Sequence, residues 1–262
     1  LSILGKATSD AEGRWIGAAH LTSIVGAPGF LAALANSIGA SLITVAIVLP
    51  IAYAFAFSLC RSAMPAKRLF RAFALIPLLA PSLLPAISLV YLFGNQGLFR
   101  SLLPAGSSIY GLAGIVIGEA FYTFPHALMI LITSLSLSDQ RLHDAARTLG
   151  AGPIKRWLAV TLPGVRFGLV SAALVVFTQV ITDFGVPKVI GGNFNVLALE
   201  AYKQVVGQQN FPRGAVIGLL LLIPALLSFF VDYGLQKKQC SSLGTRAQTF
   251  VPRAQRGVDR LP

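Results

Sequence analysis

Glu119, His126 and Asp183 stand inside long apolar stretches of this 262-residue chain. A charge at the centre of a bilayer is costly, so such residues tend to serve a function. Glu119 and His126 are seven positions apart, which on a helix places them on one face. Two roles are open to the three. They could line a pathway and ligate a polar solute, or Glu119 could lie near an outer interface while Asp183 pairs with a donor on a neighbouring helix. They form a proton relay only if they meet in space. Asp183-Phe184-Gly185 also matches the metal-binding triplet of kinases, but no glycine-rich loop, strand lysine or catalytic loop accompanies it. No G-x-x-x-x-G-K followed by Ser or Thr occurs, so the chain cannot cradle nucleotide phosphates in that way. It also has no G-x-S-x-G, no paired metal-ligand His and no Cys/His set, so an intramembrane enzyme and a resident metal are not expected.

The second concentration of specified residues is polar. Asp144-Ala-Ala-Arg-Thr-Leu-Gly150 is followed ten residues later by Val160-Thr-Leu-Pro163, in a basic connector at residues 139–166 between two apolar stretches. Asp144 to Leu149 are helix-compatible residues, and the small side chains of Ala145 and Ala146 let a partner surface approach closely. Gly150 suits a helix C-terminus or turn, and Pro153 suits the first turn of a second helix that Leu162-Pro163 would end. The expected product is a helix-turn-helix along a membrane face. An interfacial helix that only snorkels Lys155 and Arg156 toward head groups is the alternative. It would not require this fixed spacing.

Positioning such a connector requires membrane-spanning helices. The chain is 55% hydrophobic and 11% charged, with a mean hydropathy of +0.74, too apolar for a soluble domain. Nearly uncharged runs long enough to cross a hydrocarbon core of about 30 Å occur at residues 36–60, 72–94, 110–135, 167–189 and 216–233. The expectation is an all-α polytopic membrane protein with five visible spans. A net charge of +12 could suggest nucleic acid, but the cations are sorted by loop. Arg61, Lys67, Arg68 and Arg71 follow the first run, and Arg141, Arg147, Lys155, Arg156 and Arg166 follow the third. Lys237, Lys238, Arg246, Arg253, Arg256 and Arg260 follow the fifth. That puts 15 of 21 Lys and Arg on one side and predicts that the connector and the C-terminus are cytoplasmic. Residues 1–35 are then external. They carry no cleavable signal pattern, so an earlier first span, six in all, is expected to deliver them. Cys60 and Cys240 fall at cytoplasmic ends, where they are expected to stay reduced and inert.

Within the second run, Pro77, Pro81 and Pro85 recur every fourth residue, near one helical face, and each removes a helical hydrogen bond. In a membrane the freed carbonyls must face protein or water, so this run is either a broken helix lining a pathway or a packed kink. Gly114-Ile-Val-Ile-Gly118 and Gly214-Ala-Val-Ile-Gly218 are small-xxx-small patterns that suit close helix packing. The domain reading is an external segment at 1–35, a transmembrane domain at 36–236 containing the connector, and a basic cytoplasmic linker or tail at 237–262.

The connector resembles the cytoplasmic EAA loop of the permease subunits of bacterial ABC importers. Asp144, Ala145, Ala146, Gly150, Val160, Leu162 and Pro163 occupy its seven positions, Asp144 in place of Glu and Val160 in place of Ile. The resemblance covers most of the chain and implies an ABC importer type I transmembrane domain in the bacterial inner membrane. It implies that those residues, with Arg147, Ala151 and Pro153 as neighbours touching the same partner, couple to separate ATPase subunits, which carry ATP and Mg, so this chain needs no cofactor of its own. A periplasmic solute-binding protein and a second permease half, separate or fused, are the other implied partners. Nucleic acid is not one. More narrowly, the run from Ile181 to Val196, with Gln204 to Phe211, is similar to permeases assigned to 2-aminoethylphosphonate uptake, grouped with fused ferric-iron permeases whose N-terminal half this chain resembles. Without the resemblance, an ion-coupled secondary transporter using Glu119, His126 and Asp183, or a passive channel, would be the rival reading.

Overall fold

The computed structural model describes residues 26, 29–62, 65–104, 106–137 and 140–242. The expected external segment up to residue 25, Asp139 and the linker beyond residue 242 lie outside them. Among the described residues the chain is helical and contains no strand. The order is α1 (Phe30–Arg61), α2 (Lys67–Leu75) with a 3-10 turn (Ile76–Leu79), α3 (Leu83–Phe93), a 3-10 turn (Arg100–Leu102) and α4 (Leu112–Ser136). Then follow α5 (Gln140–Thr148), α6 (Pro153–Arg156), a π turn (Trp157–Thr161) and α7 (Leu162–Thr182). Last come α8 (Gly185–Ile190), α9 (Leu197–Tyr202), a second π turn (Lys203–Gly207) and α10 (Phe211–Ser242).

Among the described residues four helices are long and apolar enough to cross a membrane: Phe30–Arg61, Leu112–Ser136, Pro153–Thr182 and Phe211–Leu235. A fifth crossing exists if the pair Lys67–Leu79 and Leu83–Phe93 counts as one broken span. The run at 72–94 is broken, as its prolines led one to expect, between Leu79 and Leu83, where Pro81 can give no backbone N–H. One expectation is corrected here: the run at 167–189 is not one span. Its helix ends at Thr182, and Asp183 lies in the break before α8 rather than within a span.

The chain folds as two compact units. The first comprises the described residues up to Val45, Ala80–Tyr122 and Phe177–Ser228. Its core joins Ala40 of α1, Ala86 and Leu89 of α3, Ile115 of α4, and Val186 and Ile190 of α8. Close approach depends on the glycines of α4. A Cβ on Gly118 would lie 2.8 Å from Val186 Cγ1, and one on Gly114 would lie 2.8 Å from Ile190 Cδ1. The first small-xxx-small pattern is therefore used inside this chain, against α8. Polar anchors complete the unit: Asn36 Nδ2 donates to the Asn195 carbonyl at 2.9 Å, and the Leu197 N–H donates to Ser37 Oγ at 2.7 Å.

The second unit comprises Ala46–Leu79, Thr123–Val176 and the described residues from Phe229 onward. Its interior is made by Ala52 and Ala56 of α1, Leu128, Leu131 and Leu135 of α4, and Val165, Ala172 and Val176 of α7, all fully buried. Alanines on one helix facing leucines and valines on the others let backbones approach without leaving voids. Gly168 of α7 lies directly against Ser134 of α4, and Ser171 of α7 hydrogen-bonds to Asp232 of α10.

Candidate functional site

The connector in the second unit is a helix-turn-helix, α5 followed by α6. Its turn is built by Gly150, whose φ of 73° lies in the left-handed region. The Gly150 N–H donates to the Arg147 carbonyl and the Ala151 N–H to the Ala146 carbonyl, both at 3.0 Å. This pair of bonds is the Schellman arrangement, which satisfies the open carbonyls of a helix end and favours glycine at that position. The Thr148 hydroxyl donates back to the Ala145 carbonyl at 2.8 Å. Pro153 then starts α6 at a position where no N–H is needed.

Asp144, Ala145, Arg147, Gly150 and Pro153 are exposed, while Ala146 and Ala151 are partly covered. Around them Leu149, Ile154 and Leu158 are also exposed, the first at 86%. With Gly152, Pro153 and Ala159 the last two line a shallow apolar groove. Small residues, exposed leucines and a groove form a surface suited to close protein contact.

Leu162-Pro163 does not end the second helix, contrary to expectation. The chain runs helically from Pro153 through the π turn into α7. In a regular α-helix the Pro163 ring would meet the Ala159 carbonyl. The wider π turn, with the Leu162 N–H bonded to the Trp157 carbonyl, carries the helix past that obstacle. The connector and the following span are thus one helix. Val160 and Leu162 are partly covered and Pro163 is exposed.

Residues far away in sequence hold both ends of the connector. Trp157 Nε1 donates to Tyr53 Oη of α1 at 2.8 Å, with the rings edge to face at 6.3 Å. At the other end Arg61 Nη2 donates to the Leu135 carbonyl at 3.4 Å, placing a cation at the C-terminus of α4. His143 of α5 is half-buried, and its pKa is pushed down to about 4, first by burial and then by the Arg61 and Arg156 charges. It is therefore neutral at pH 7. Sequence reading missed Tyr53, Trp157 and His143, since no motif or period relates positions 104 residues apart.

The other expected residues divide between the units. In the first, Glu119 of α4 is fully buried, and its carboxyl interacts with that of Asp183. Asp183 Oδ2 also accepts the Val186 N–H at 2.8 Å, capping α8. The break in the second run meets the same place. A Cβ on Gly185 would lie 2.5 Å from Ser82 Oγ and 3.2 Å from Leu83 Cγ, so α8 packs on the segment that carries Pro81 and Pro85. His126 lies two turns further along α4, in the second unit. On α8 itself, in the first unit, Lys188 Nζ lies 3.8 Å from the Tyr202 ring centroid. Burial raises the Glu200 pKa, but hydrogen bonds from Asn195 and Gln204 and the Lys203 charge outweigh it and leave the carboxyl below its ordinary range. Among the described residues no three His, Cys, Asp or Glu gather as a metal site would need.

Spanning helices with broken segments in one unit and a rigidly capped polar connector in the other define a polytopic transmembrane domain of a transport protein. The chain belongs to the family of binding-protein-dependent transport system inner membrane components, whose pattern matches residues 49–239. It is 28% identical to the ferric transport system permease protein FbpB of Actinobacillus pleuropneumoniae over 69% of this chain, and spans 27% of the length of that relative. It is 31% identical to the spermidine/putrescine transport system permease protein PotC homolog of Mycoplasma genitalium, covering 82% of this chain and 74% of that one. In fold it is similar to a chain of a bacterial alginate ABC transporter crystallised with its periplasmic protein. There the TM-score is 0.68 at 12% identity, over 88% of this chain and 85% of the other.

Proposed function

We propose that this chain is the translocating permease subunit of an ATP-driven importer in the bacterial inner membrane. The carrying observation is the connector, where the residues of the family's EAA-like pattern occupy a capped helix-turn-helix with Asp144, Ala145, Arg147, Gly150 and Pro153 exposed. On this reading ATPase subunits holding ATP and Mg dock on residues 139–166. Closure of the ATPases on ATP supplies the differential preference for one conformation that any population shift requires. Residues 36–236 carry translocation together with a second permease half, and residues 237–262 form a basic cytoplasmic tail. A periplasmic binding protein delivers solute on the opposite side. Pro81, Pro85, Glu119, His126 and Asp183 line or support the pathway.

For the solute, the run from Ile181 to Val196 supports 2-aminoethylphosphonate, and Lys188, Lys203 and Arg213 would favour an anion at long range. Ferric iron is the second reading, favoured by the ferric permease relative. Two experiments test these proposals. Membrane-impermeant thiol labelling of intact cells should mark Ser107→Cys and spare Thr148→Cys, and the reverse pattern overturns the orientation. Proteoliposomes of the co-purified complex should take up labelled 2-aminoethylphosphonate only with ATP and binding protein. Uptake driven by an ion gradient without ATP would return the chain to the secondary-transporter class, and ATP-driven uptake of ferric iron alone would change the solute.

A further inference from the structure

Phe184, Lys188 and Tyr202 form a cluster in the first unit that the coupling role of the connector does not use. Lys188 Nζ lies 3.8 Å from the Tyr202 ring centroid and 5.6 Å from that of Phe184, and it donates to Tyr202 Oη. The two rings are stacked, with centroids 5.0 Å apart and planes 20° from parallel. An ammonium is thus held by two aromatic faces and a phenol oxygen. The faces attract it through the negative charge above each ring, which is also how proteins recognise ammonium ligands.

The rings are fixed and the lysine is not. Phe184 lies in the break just past the spanning helix that ends at Thr182. Its carbonyl accepts the Lys188 N–H at 3.0 Å, so Lys188 sits one helical turn along on the same face. Helix α8 is seated by Gly185 against Ser82 and Leu83, and it shares a buried core with α9 through Val186, Ile190 and Leu199. Tyr202 closes α9 and is partly covered, like Phe184, whereas Lys188 is exposed. A cation facing hydrocarbon is costly, so the exposed side of the cluster meets water or polar protein. A cation–π contact at an exposed site is worth only about two- to fivefold in occupancy, and the flexible four-carbon stem of Lys188 lets its ammonium swing away. The ring pair is therefore a preformed ammonium receptor whose own occupant is weakly held.

We propose that Phe184 and Tyr202 form a subsite for the primary ammonium group of a small zwitterion, with Lys188 as its tethered stand-in. When the solute ammonium takes the rings, the displaced Lys188 ammonium stays within reach on α8 and meets the anionic end of the same molecule. This exchange favours a ligand that carries both charges a few bonds apart. A bare alkylammonium leaves Lys188 beside a like charge, and a bare anion gives the rings nothing in exchange for Lys188. The inference rests on the reading of the solute as an aminoalkylphosphonate and deepens it. On the proposed orientation the cluster lies at the face where solute arrives.

The test uses the co-purified complex in nanodiscs, with binding followed by saturation-transfer NMR in the absence of ATP and binding protein. The probes are 2-aminoethylphosphonate, ethylammonium and ethylphosphonate. The zwitterion should bind at least about fivefold more tightly than either half-molecule. Tyr202→Leu and Phe184→Leu should each weaken it by about two- to fivefold, and Tyr202→Phe, which keeps the ring, should not. Lys188→Gln gives the discriminating sign. Ethylammonium should bind about two- to fivefold more tightly because its competitor is gone, while the zwitterion gains nothing because its counter-charge is gone too. A purely structural role for the cluster would weaken every probe together. Unchanged or weaker ethylammonium binding in Lys188→Gln overturns the proposal, as does full zwitterion binding in both leucine variants. So does a Lys188→Cys thiol closed to a water-soluble reagent, with Cys60 and Cys240 replaced by serine, because solute needs the same access. If ethylammonium binds with this pattern but 2-aminoethylphosphonate neither binds nor is taken up, the solute reading fails and the ring subsite stands. ATP-driven uptake of 2-aminoethylphosphonate that is unaltered in both leucine variants leaves the solute reading and overturns the subsite.

Discussion

Replacing Gly150 separates the turn's own geometry from what docks on it. The residue has a φ of 73°, and a Cβ built there meets nothing within 4 Å. Alanine therefore costs only the backbone penalty of an L-residue in the left-handed region, about 1–2 kcal/mol, with no steric term. That corresponds to about a 5–30-fold drop in the population of the capped turn. Asparagine, which tolerates this region better, costs less. Leucine suffers the same backbone penalty as alanine and has the same open space within the chain, so any further loss must come from a partner in that space. We expect ATPase binding to fall in the order Gly, Asn, Ala, Leu, with the step from Ala to Leu larger than that from Gly to Ala. Affinity of the detergent-solubilised chain for its ATPase and ATP-driven uptake in proteoliposomes are the assays, with hydrogen exchange over residues 140–151 reporting the turn. Equal losses for alanine and leucine would mean that the turn matters and the docking reading of Gly150 is wrong. Full uptake with Gly150→Leu would refute both.

Three further expectations concern contacts within the units. Tyr53→Phe and Trp157→Phe remove the same 2.8 Å hydrogen bond, so each should lower stability in detergent by about 1 kcal/mol. The double variant should cost little more than either single one, and simple additivity would show that the bond contributes nothing. For His143 the folded pKa of about 4 lies below the ordinary histidine value of 6.5. Between those values the unfolded state binds more protons, so the stabilising contribution is present above pH 6.5 and is lost as pH falls toward about 4. Hydrogen exchange in α5 should accelerate over that window, and His143→Gln should remove the pH dependence. Finally, Gly118→Ala sets a Cβ 2.8 Å from Val186 Cγ1, and because Val186 is fully buried and β-branched it cannot swing aside. A loss of about 1–3 kcal/mol is expected by thermal inactivation, and an unchanged midpoint would disprove the close packing of α4 on α8.

What could be read from the sequence follows from which signals are local. The apolar runs beginning at residues 36, 110 and 216 emerged as spanning helices because lipid imposes one requirement over some 20 consecutive residues, and composition records it directly. The Gly150 turn was legible because a left-handed helix end selects glycine at a fixed offset. The break at residues 80–82 was legible through Pro77, Pro81 and Pro85, whereas that at 183–184 was not. Apolarity continues across both, and hydropathy alone cannot distinguish a straight span from a bent pair of shorter helices. Asp183 read as an intramembrane charge, whereas its carboxylate caps α8 through the Val186 N–H. Pro163 read as a stop signal, whereas the adjacent π turn lets the helix continue. That continuity also decides how the connector can act. A span joined to its connector through one continuous helix, and fastened to α1 by Trp157 and Tyr53 at the junction, must tilt when the connector is displaced. A flexible linker at Leu162-Pro163 would absorb the same displacement. If motion of the loop is to reach the pathway, the π turn is where stiffness matters most. The residues that supply it, Tyr53 and Trp157, lie 104 positions apart with no local pattern to announce them.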